Sequence, residues 1–281
     1  MTADVLGQLV DAIDRGEAVA LVTVTGGSGA YADKLGEHCL VWLEASRECT
    51  GDLDLGGLTE EVLRDARKAI AERRHSNLTY ATAGGDVELF VEVQGKPPHL
   101  IIVGAGHIAV PLASVASICD FAVTVLDDRP MYANAERFPT ADHVIAGPMV
   151  EELRTLRASG RGLDADTYVV LVTRGHSHDV ECLVELIDDP LAYVGMIGSR
   201  RRIDAVFQLL ESEKGIAPER LDGVHAPIGL DIGARTPAEI AVCIMAEIIN
   251  IMRGGSAESL SDLVRRERMA RRDRAQQRAA T

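Results

Sequence analysis

A short apolar run that passes directly into a glycine turn constrains this chain more than any other stretch. Residues 100–103 are apolar throughout, as in a strand covered on both faces. Gly104 and Gly106 follow, and glycine lets the backbone bend sharply so that its N–H groups can approach a phosphate at the start of the next helix. Ala109 occupies the third small-residue position of a dinucleotide-binding fingerprint. The stretch therefore favours a site for a nucleotide or a phosphate-bearing cofactor, with a glycine turn that binds nothing as the alternative.

Two acids follow the next predicted strand at the spacing of a ribose-binding carboxylate. Residues 123–126 have strand character, and Asp127 and Asp128 come after them, about 20 residues beyond the second glycine. His107 directly follows the glycine turn and is expected in the first turn of the helix, where it can donate a hydrogen bond to an anion. A histidine that serves only the helix start is the alternative interpretation.

Segments with strand and helix character alternate from His99 onward. This alternation predicts an α/β fold, with a Rossmann-like parallel sheet and helices on both faces over residues 99–253. Residues 168–173 are the clearest later strand. In such sheets ligands bind at the carboxyl ends of the strands, beside the point where the strand order reverses.

A smaller α+β domain is predicted for residues 1–95. It combines apolar strand runs with an amphipathic helix over residues 58–74, for which Thr59 is the expected N-cap, and with a glycine hairpin at residues 84–86. Two consecutive prolines at 97 and 98 favour an extended connector and mark the domain boundary.

The loop after residues 168–173 contains His176 and Asp179. Side chains at the carboxyl end of a central strand face the ligand crevice, so this pair could bind a ligand or shuttle a proton. Asp179 could equally cap the following helix, because Asp is a favoured N-cap residue. The spacing supplies no third ligand, and no metal site is predicted.

Gly198 and Ser199 precede a helix that opens with arginines at 200–202. Positive charge at a helix N-terminus opposes the helix dipole unless an anion or a carboxylate is close. The placement favours a phosphate or pyrophosphate ligand, with a solvated basic patch as the alternative. Further along, residues 236–239 predict a capped helix start, preceded by a loop that is either a lid or a structural clasp.

The net charge of −14 is unevenly distributed. Residues 264–281 contain seven arginines and two acids, a local charge of +5 that leaves −19 on the rest of the chain. An acidic body disfavours nonspecific binding to nucleic acid. Residues 254–281 are expected to form a solvated, weakly helical tail, and a partner-binding arm is the alternative.

The five cysteines are scattered and form no CxxC pair. This pattern argues against a disulfide framework, a zinc site and an iron–sulfur cluster, and it favours reduced thiols. No apolar run approaches the length of a bilayer span, and the first ten residues carry Asp4 and no basic residue. We therefore expect a cytoplasmic protein without a membrane helix.

The second half of the chain resembles the XdhC/CoxI family, whose members are accessory proteins of molybdenum hydroxylases such as xanthine dehydrogenase and carbon monoxide dehydrogenase. The matching stretches cover residues 99–253 almost continuously and read LIIVGAGHIA, VTVLDDR, FPTAD, VTRGHSHD, YVGMIGSRRR and HAPIGLDIGARTPAEIAVCIMAEII. The resemblance implies a dimer that binds the molybdenum cofactor, cooperates with a cysteine desulfurase and passes the cofactor to the apo-hydroxylase.

The first domain resembles the family more loosely and lacks two cysteines. Leu58 stands where the family usually has a cysteine in a Ser-Gly-Gly-Cys-x-Glu segment, and Ala83 replaces the cysteine of a Cys-Gly-Gly segment. Cys39 and Cys49 are nearby in sequence but do not match those positions. A thiol that ligates molybdenum or relays sulfur is therefore not expected at either place.

The resemblance implies a cofactor-insertion chaperone that performs no catalysis of its own. The phosphate of molybdopterin, or the pyrophosphate of its dinucleotide form, would be bound by Gly104, Gly106, His107, Gly198, Ser199 and Arg200. Asp127 or Asp128 would receive a ribose hydroxyl, and His176 and Asp179 would face the pterin. The fingerprint and the acids alone leave open an NAD(P)-dependent oxidoreductase or a nucleotide-binding regulatory protein, although no hydride-transfer acid–base set is evident.

Overall fold

The computed structural model of the chain describes residues 5–159 and 163–279. The described residues form two compact units that divide between Lys96 and Pro97, at the paired prolines. Residues 1–4 of the predicted first domain, residues 160–162 of the predicted Rossmann-like domain and residues 280–281 of the predicted tail lie outside the described residues.

The first unit is an α+β fold. Its elements in chain order are α1 (Val5–Asp14), β1 (Val19–Gly27), β2 (His38–Trp42), β3 (Thr50–Asp52), α2 (Thr59–Ala71), β4 (Ser76–Thr82) and β5 (Gly85–Gln94). The strands form one antiparallel sheet in the order β3-β2-β1-β5-β4, and β4 and β5 make the predicted glycine hairpin. Helix α2 packs on this sheet, with Val62, Ala66 and Ile70 in a core shared with Val22 and Val91.

Thr59 does not cap helix α2 as predicted. The helix begins at Thr59 and its N-cap is Leu58. The Thr59 hydroxyl instead accepts a hydrogen bond from the N–H of Leu55 at 3.0 Å. The predicted cap is wrong by one residue because the short 3-10 turn before the helix uses this hydroxyl.

The second unit alternates strands and helices along the chain. Its elements are β6 (His99–Val103), α3 (Ala109–Ile118), β7 (Ala122–Asp127), β8 (His143–Ala146), α4 (Met149–Ala158), β9 (Thr167–Leu171), α5 (His176–Leu186), β10 (Tyr193–Met196), α6 (Arg200–Lys214), α7 (Pro218–Leu221), β11 (Val224–His225), α8 (Pro237–Arg253) and α9 (Leu260–Ala279). None of the described helices is both long enough and apolar enough to cross a bilayer.

The six strands of the second unit form a parallel sheet in the order β11-β10-β9-β6-β7-β8. The chain moves outward from β6 through β7 to β8, crosses back by α4, and continues outward on the other side from β9. The strand order therefore reverses between β6 and β9, as in a doubly wound Rossmann-type sheet. The predicted fold class is confirmed.

Apolar cores lie on both faces of the parallel sheet. One core holds residues of α3 and α8 packed against β6, β7 and β9, with Leu100, Leu112 and Ile244 fully buried. The other holds residues of α4, α5 and α6, with Leu153 and Leu183 fully buried. Strands that are covered on both faces explain the uninterrupted apolar runs of the sequence.

Two helices of this unit begin at other residues than the sequence suggested. Helix α3 begins at Ala109, so His107 lies in the turn before it and not in its first turn. Helix α5 begins at His176 with Gly175 as its N-cap, and the alternative that Asp179 caps this helix is wrong. Asp179 lies inside the first turn, with its side chain fully buried.

The helix start predicted at residues 236–239 is present, and α6 also begins with a side-chain cap. Ser199 caps α6 and accepts a hydrogen bond from the N–H of Arg202 at 3.3 Å. Thr236 and Glu239 form a reciprocal capping box at the start of α8. The described part of the predicted tail carries helix α9, which contributes no residue to either core of this unit.

Candidate functional site

The glycine turn after β6 leaves three backbone donors without partners. Among the described residues, the N–H groups of Gly106, His107 and Ile108 donate to no acceptor. They precede α3, where the helix dipole also favours negative charge. A Cβ added to Gly106 would meet nothing within 4 Å, so the packing of the chain itself does not require glycine here. The turn therefore has both open space and donors for an anionic group.

Position 104 requires glycine for a different reason. Its φ of +108° is unfavourable for other residues, and an added Cβ would lie 2.6 Å from the carbonyl oxygen of Val172. Its N–H donates to the Leu126 carbonyl oxygen at 2.7 Å. Gly104 thus allows the close approach of the segments after β6 and β9 at the point where the strand order reverses.

Asp127 is fully buried and holds the shape of the turn. Its carboxylate accepts the N–H of Ala105 at 2.7 Å, the N–H of Arg129 at 3.0 Å, and two guanidinium bonds from Arg129 at 2.8 and 2.9 Å. Burial raises the pKa of this carboxyl, but the hydrogen bonds from Arg129 and from the backbone of Ala105 outweigh it and lower the pKa to about 2. Four donors of this chain bind the carboxylate, so its hydrogen bonds are made within the protein and require no ligand.

Asp128 is the more accessible of the two predicted ribose-binding acids. Its side chain is 29% exposed and makes a two-bond ion pair with Arg174, at 2.9 and 2.7 Å. Asp128 follows β7 and Arg174 follows β9, and β6 lies between these strands. The ion pair therefore spans the carboxyl end of β6, and it brings the Arg174 guanidinium to the edge of the sheet where the glycine turn lies.

His176 and Asp179 are not joined as an acid–base pair in the part of the chain that the structure describes. The Asp179 carboxylate accepts the Thr173 hydroxyl at 2.5 Å and is ion-paired with the Arg202 guanidinium, whose Nε lies 3.1 Å away. His176 is exposed at the first residue of α5. Asp179 thus fixes the loop after β9 to the start of α6.

The start of α6 carries two arginines without carboxylate partners among the described residues. Arg200 and Arg201 are exposed and make no ion pair there, whereas Arg202 is paired with Asp179. Gly198 and Ser199 lie just before them, at the carboxyl end of β10. An exposed helix N-terminus with unpaired arginines favours an anion.

The loop over residues 225–236 is fixed at its base. The carboxylate of Glu247 on α8 accepts the Tyr193 hydroxyl at 2.5 Å and the N–H of Gly229 at 2.9 Å. Burial raises the pKa of Tyr193 and the neighbouring carboxylate raises it further. The Tyr193 ring also stacks on His225, with ring centroids 4.6 Å apart. These contacts support the structural-clasp interpretation for the base of the loop.

Sequence reasoning missed the ion pairs that organise this edge of the sheet. Arg129, Arg174 and Arg202 each pair with a predicted site acid. Arg174 had a usable signal, because it directly follows the clearest later strand. The pairings of Arg174 with Asp128 and of Arg202 with Asp179 had none, because the partners lie 46 and 23 residues apart in sequence.

The strand order and the glycine turn at its point of reversal define this second unit as a Rossmann-type domain. Residues 100–248 match the model of the XdhC Rossmann domain, and residues 12–81 match that of the XdhC and CoxI family. The chain belongs to the XdhC and CoxI family.

Curated relatives match this chain over part of their length. An uncharacterised protein, YqeB of Escherichia coli strain K12, is 32% identical over 210 residues, which cover 70% of this chain and 37% of that protein. A probable subunit of xanthine dehydrogenase from Bacillus subtilis strain 168 is 35% identical over 194 residues, which cover 69% of this chain and 53% of that protein. The chain thus spans about half or less of the length of these relatives.

A solved structure described as a xanthine dehydrogenase from Bacillus halodurans has the same fold. The match covers 90% of this chain and 97% of that one, with a TM-score of 0.52 and 20% sequence identity. At that identity the likeness concerns the fold alone.

Proposed function

We propose that this protein takes part in the maturation of xanthine dehydrogenase or a similar molybdenum hydroxylase, by binding the molybdenum cofactor and delivering it to the enzyme. The family membership and the relative named as a probable xanthine dehydrogenase component support the client class. The observation that carries cofactor binding is the glycine turn, with unsatisfied N–H groups at Gly106, His107 and Ile108 beside open space.

The cofactor is cargo here, and its phosphate end is the part that this chain can hold. The turn's N–H groups and the exposed His107 ring would donate hydrogen bonds to the phosphate or pyrophosphate, and the arginines at 174 and 200 would supply positive charge. Ser199 would contribute its hydroxyl, and Asp128 would accept a ribose hydroxyl if the dinucleotide form is bound. These cations matter in a chain of net charge −14, which otherwise repels anions.

Sulfur chemistry would come from another protein, such as a cysteine desulfurase. Leu58 and Ala83 offer no thiol where the family usually has cysteine. Burial raises the pKa of Cys39 and that of Cys182 to about 12, so neither thiol ionises readily. The protein would therefore hold the cofactor through its phosphate end while sulfuration is carried out by another protein. It would act in the cytoplasm and as a homodimer.

The test is to purify the protein from cells that make molybdopterin and to measure bound molybdenum and the fluorescent oxidised pterin. We expect both to be retained, and cells without the protein to have little hydroxylase activity. Gly106→Val places a side chain in the open space and should reduce retention at least about tenfold, the loss expected when charge-assisted hydrogen bonds are removed. Gly223→Val is the matched control, because a Cβ there also meets nothing.

Absence of pterin from the wild-type protein, together with normal hydroxylase activity in cells that lack it, would overturn the proposal. Tight binding of NADH with substrate-dependent loss of its absorbance would favour the oxidoreductase alternative. Static light scattering would test the homodimer.

A further inference from the structure

A cavity of about 580 Å³ lies beside the crevice, between helices α4 and α5. This volume falls within the range of small-molecule sites, about 300–1,000 Å³. Its apolar wall includes Met149, Val150 and Val184, and its polar wall includes Glu151, His178 and Glu181. Asp128 also lines it, so the cavity shares one residue with the candidate site.

A continuous series of contacts joins this cavity to the glycine turn. Ala105 of the turn donates to Asp127, Asp127 pairs with Arg129, and the Arg129 Nε lies 3.8 Å from the Asp128 carboxylate that lines the cavity. One end of the cavity lies where β7 and β8 end, because Asp128 follows β7 and Met149 follows β8, and from there the cavity extends along α5 to Glu185. Strands β6, β7 and β8 form one mononucleotide-binding half of a Rossmann-type sheet.

The charges of the cavity are unsuited to a phosphate. Its lining has four carboxylates against one arginine and one lysine: Asp128, Glu151, Glu181, Glu185, Arg154 and Lys214. Asp128 and Glu185 are ion-paired with arginines, whereas Glu151 and Glu181 have no ion-pair partner among the described residues. Free carboxylates accept hydrogen bonds from amino groups, and the apolar wall suits a flat ring.

We propose that this cavity holds the amino-bearing base of a nucleotide whose pyrophosphate lies on the glycine turn. The inference rests on the phosphate site of the proposed function and extends it: the cofactor bound is the dinucleotide form and not plain molybdopterin. The turn holds the pyrophosphate, Asp128 lies between the two subsites, and Glu181 and Glu151 accept hydrogen bonds from the exocyclic amino group of the base.

The test compares cytidine, adenosine, guanosine and uridine diphosphates with inorganic pyrophosphate by calorimetry on the full chain. At least one amino-bearing nucleotide should bind about tenfold more tightly than pyrophosphate, and cytidine diphosphate more tightly than uridine diphosphate, which lacks the amino group. Val184→Trp fills the cavity from a helix position that is 39% exposed and should remove the advantage over pyrophosphate. Ala205→Trp, at an exposed position of α6, is the control.

Glu181→Gln should reduce the preference for the amino-bearing base while leaving pyrophosphate affinity and the circular dichroism spectrum unchanged. Equal affinity for all nucleotides and pyrophosphate, no binding of any of them, or no effect of Val184→Trp would overturn the base site. If the purified protein retains pterin but shows no base preference, only this inference fails. If nucleotides bind in the cavity but no pterin is retained, the proposed function fails and the nucleotide site stands.

Discussion

At the scale of single residues, the two glycines of the turn have different roles: Gly104 is required by the fold, and Gly106 leaves space for a ligand. Gly104→Ala should destabilise the protein by at least about 2 kcal/mol, because it combines an unfavourable positive φ with a Cβ 2.6 Å from the Val172 carbonyl oxygen. Gly106→Ala should change stability by less than about 1 kcal/mol. Urea unfolding of both variants is the measurement, and equal losses in the free energy of unfolding would contradict these different roles.

The Asp127 carboxylate should make stability depend on acid pH. Its pKa is lowered from 3.8 to about 2 in the folded state, so its stabilising contribution is complete above pH 4 and is lost as the pH falls through the folded value. Asp127→Asn should therefore cost about 2 kcal/mol near neutral pH, and the difference from wild type should shrink below pH 4. The check is denaturant unfolding at several pH values.

Asp128→Asn is the control for this titration. Its carboxylate is also ion-paired, but the side chains of Asp128 and Arg174 are 29% and 42% exposed, and exposed pairs contribute about 0–1 kcal/mol. A pH-independent difference between wild type and Asp127→Asn would show that the Arg129 pairing does not control stability.

At the scale of elements, Glu247 on α8 connects β10 to the loop over residues 225–236. Tyr193→Phe removes one of the two hydrogen bonds to this carboxylate and should cost about 1–2 kcal/mol. Amide exchange around Gly229 should accelerate, since its N–H bonds to the same carboxylate. Hydrogen-exchange mass spectrometry tests this, and unchanged protection of the loop would mean that the contact does not fix it.

Elements were predictable where their signals are local in sequence. The apolar run into Gly104 and the capping box at Thr236 each depend on residues within a few positions, and both are present. The buried state of Asp179 was not predictable, because it depends on Arg202, 23 residues away. The hydrogen bonds of Asp127 were not predictable either. Its spacing in the sequence indicated a ribose ligand, but its carboxylate accepts hydrogen bonds from Ala105 and Arg129 that form only in the folded turn.

At the scale of the whole molecule, charge is segregated along the chain. The arginine-rich end carries +5 and the remainder −19. The arginines at the candidate site therefore attract an anion that the net negative charge of the protein repels. The Debye length is about 8 Å at physiological ionic strength, so added salt should weaken anion binding only by screening the charges close to the anion.

The second unit should be sufficient for anion binding. All buried core residues of its two clusters lie within residues 97–253, and none belongs to α9. A fragment of residues 97–253 should therefore unfold cooperatively and bind pyrophosphate with the affinity of the full chain at physiological salt. Thermal unfolding followed by circular dichroism and calorimetric titration would test this expectation. A fragment that unfolds without cooperativity would show that the first unit or the basic end supplies part of its stability, and a folded fragment with weakened affinity would place part of the anion site outside residues 97–253.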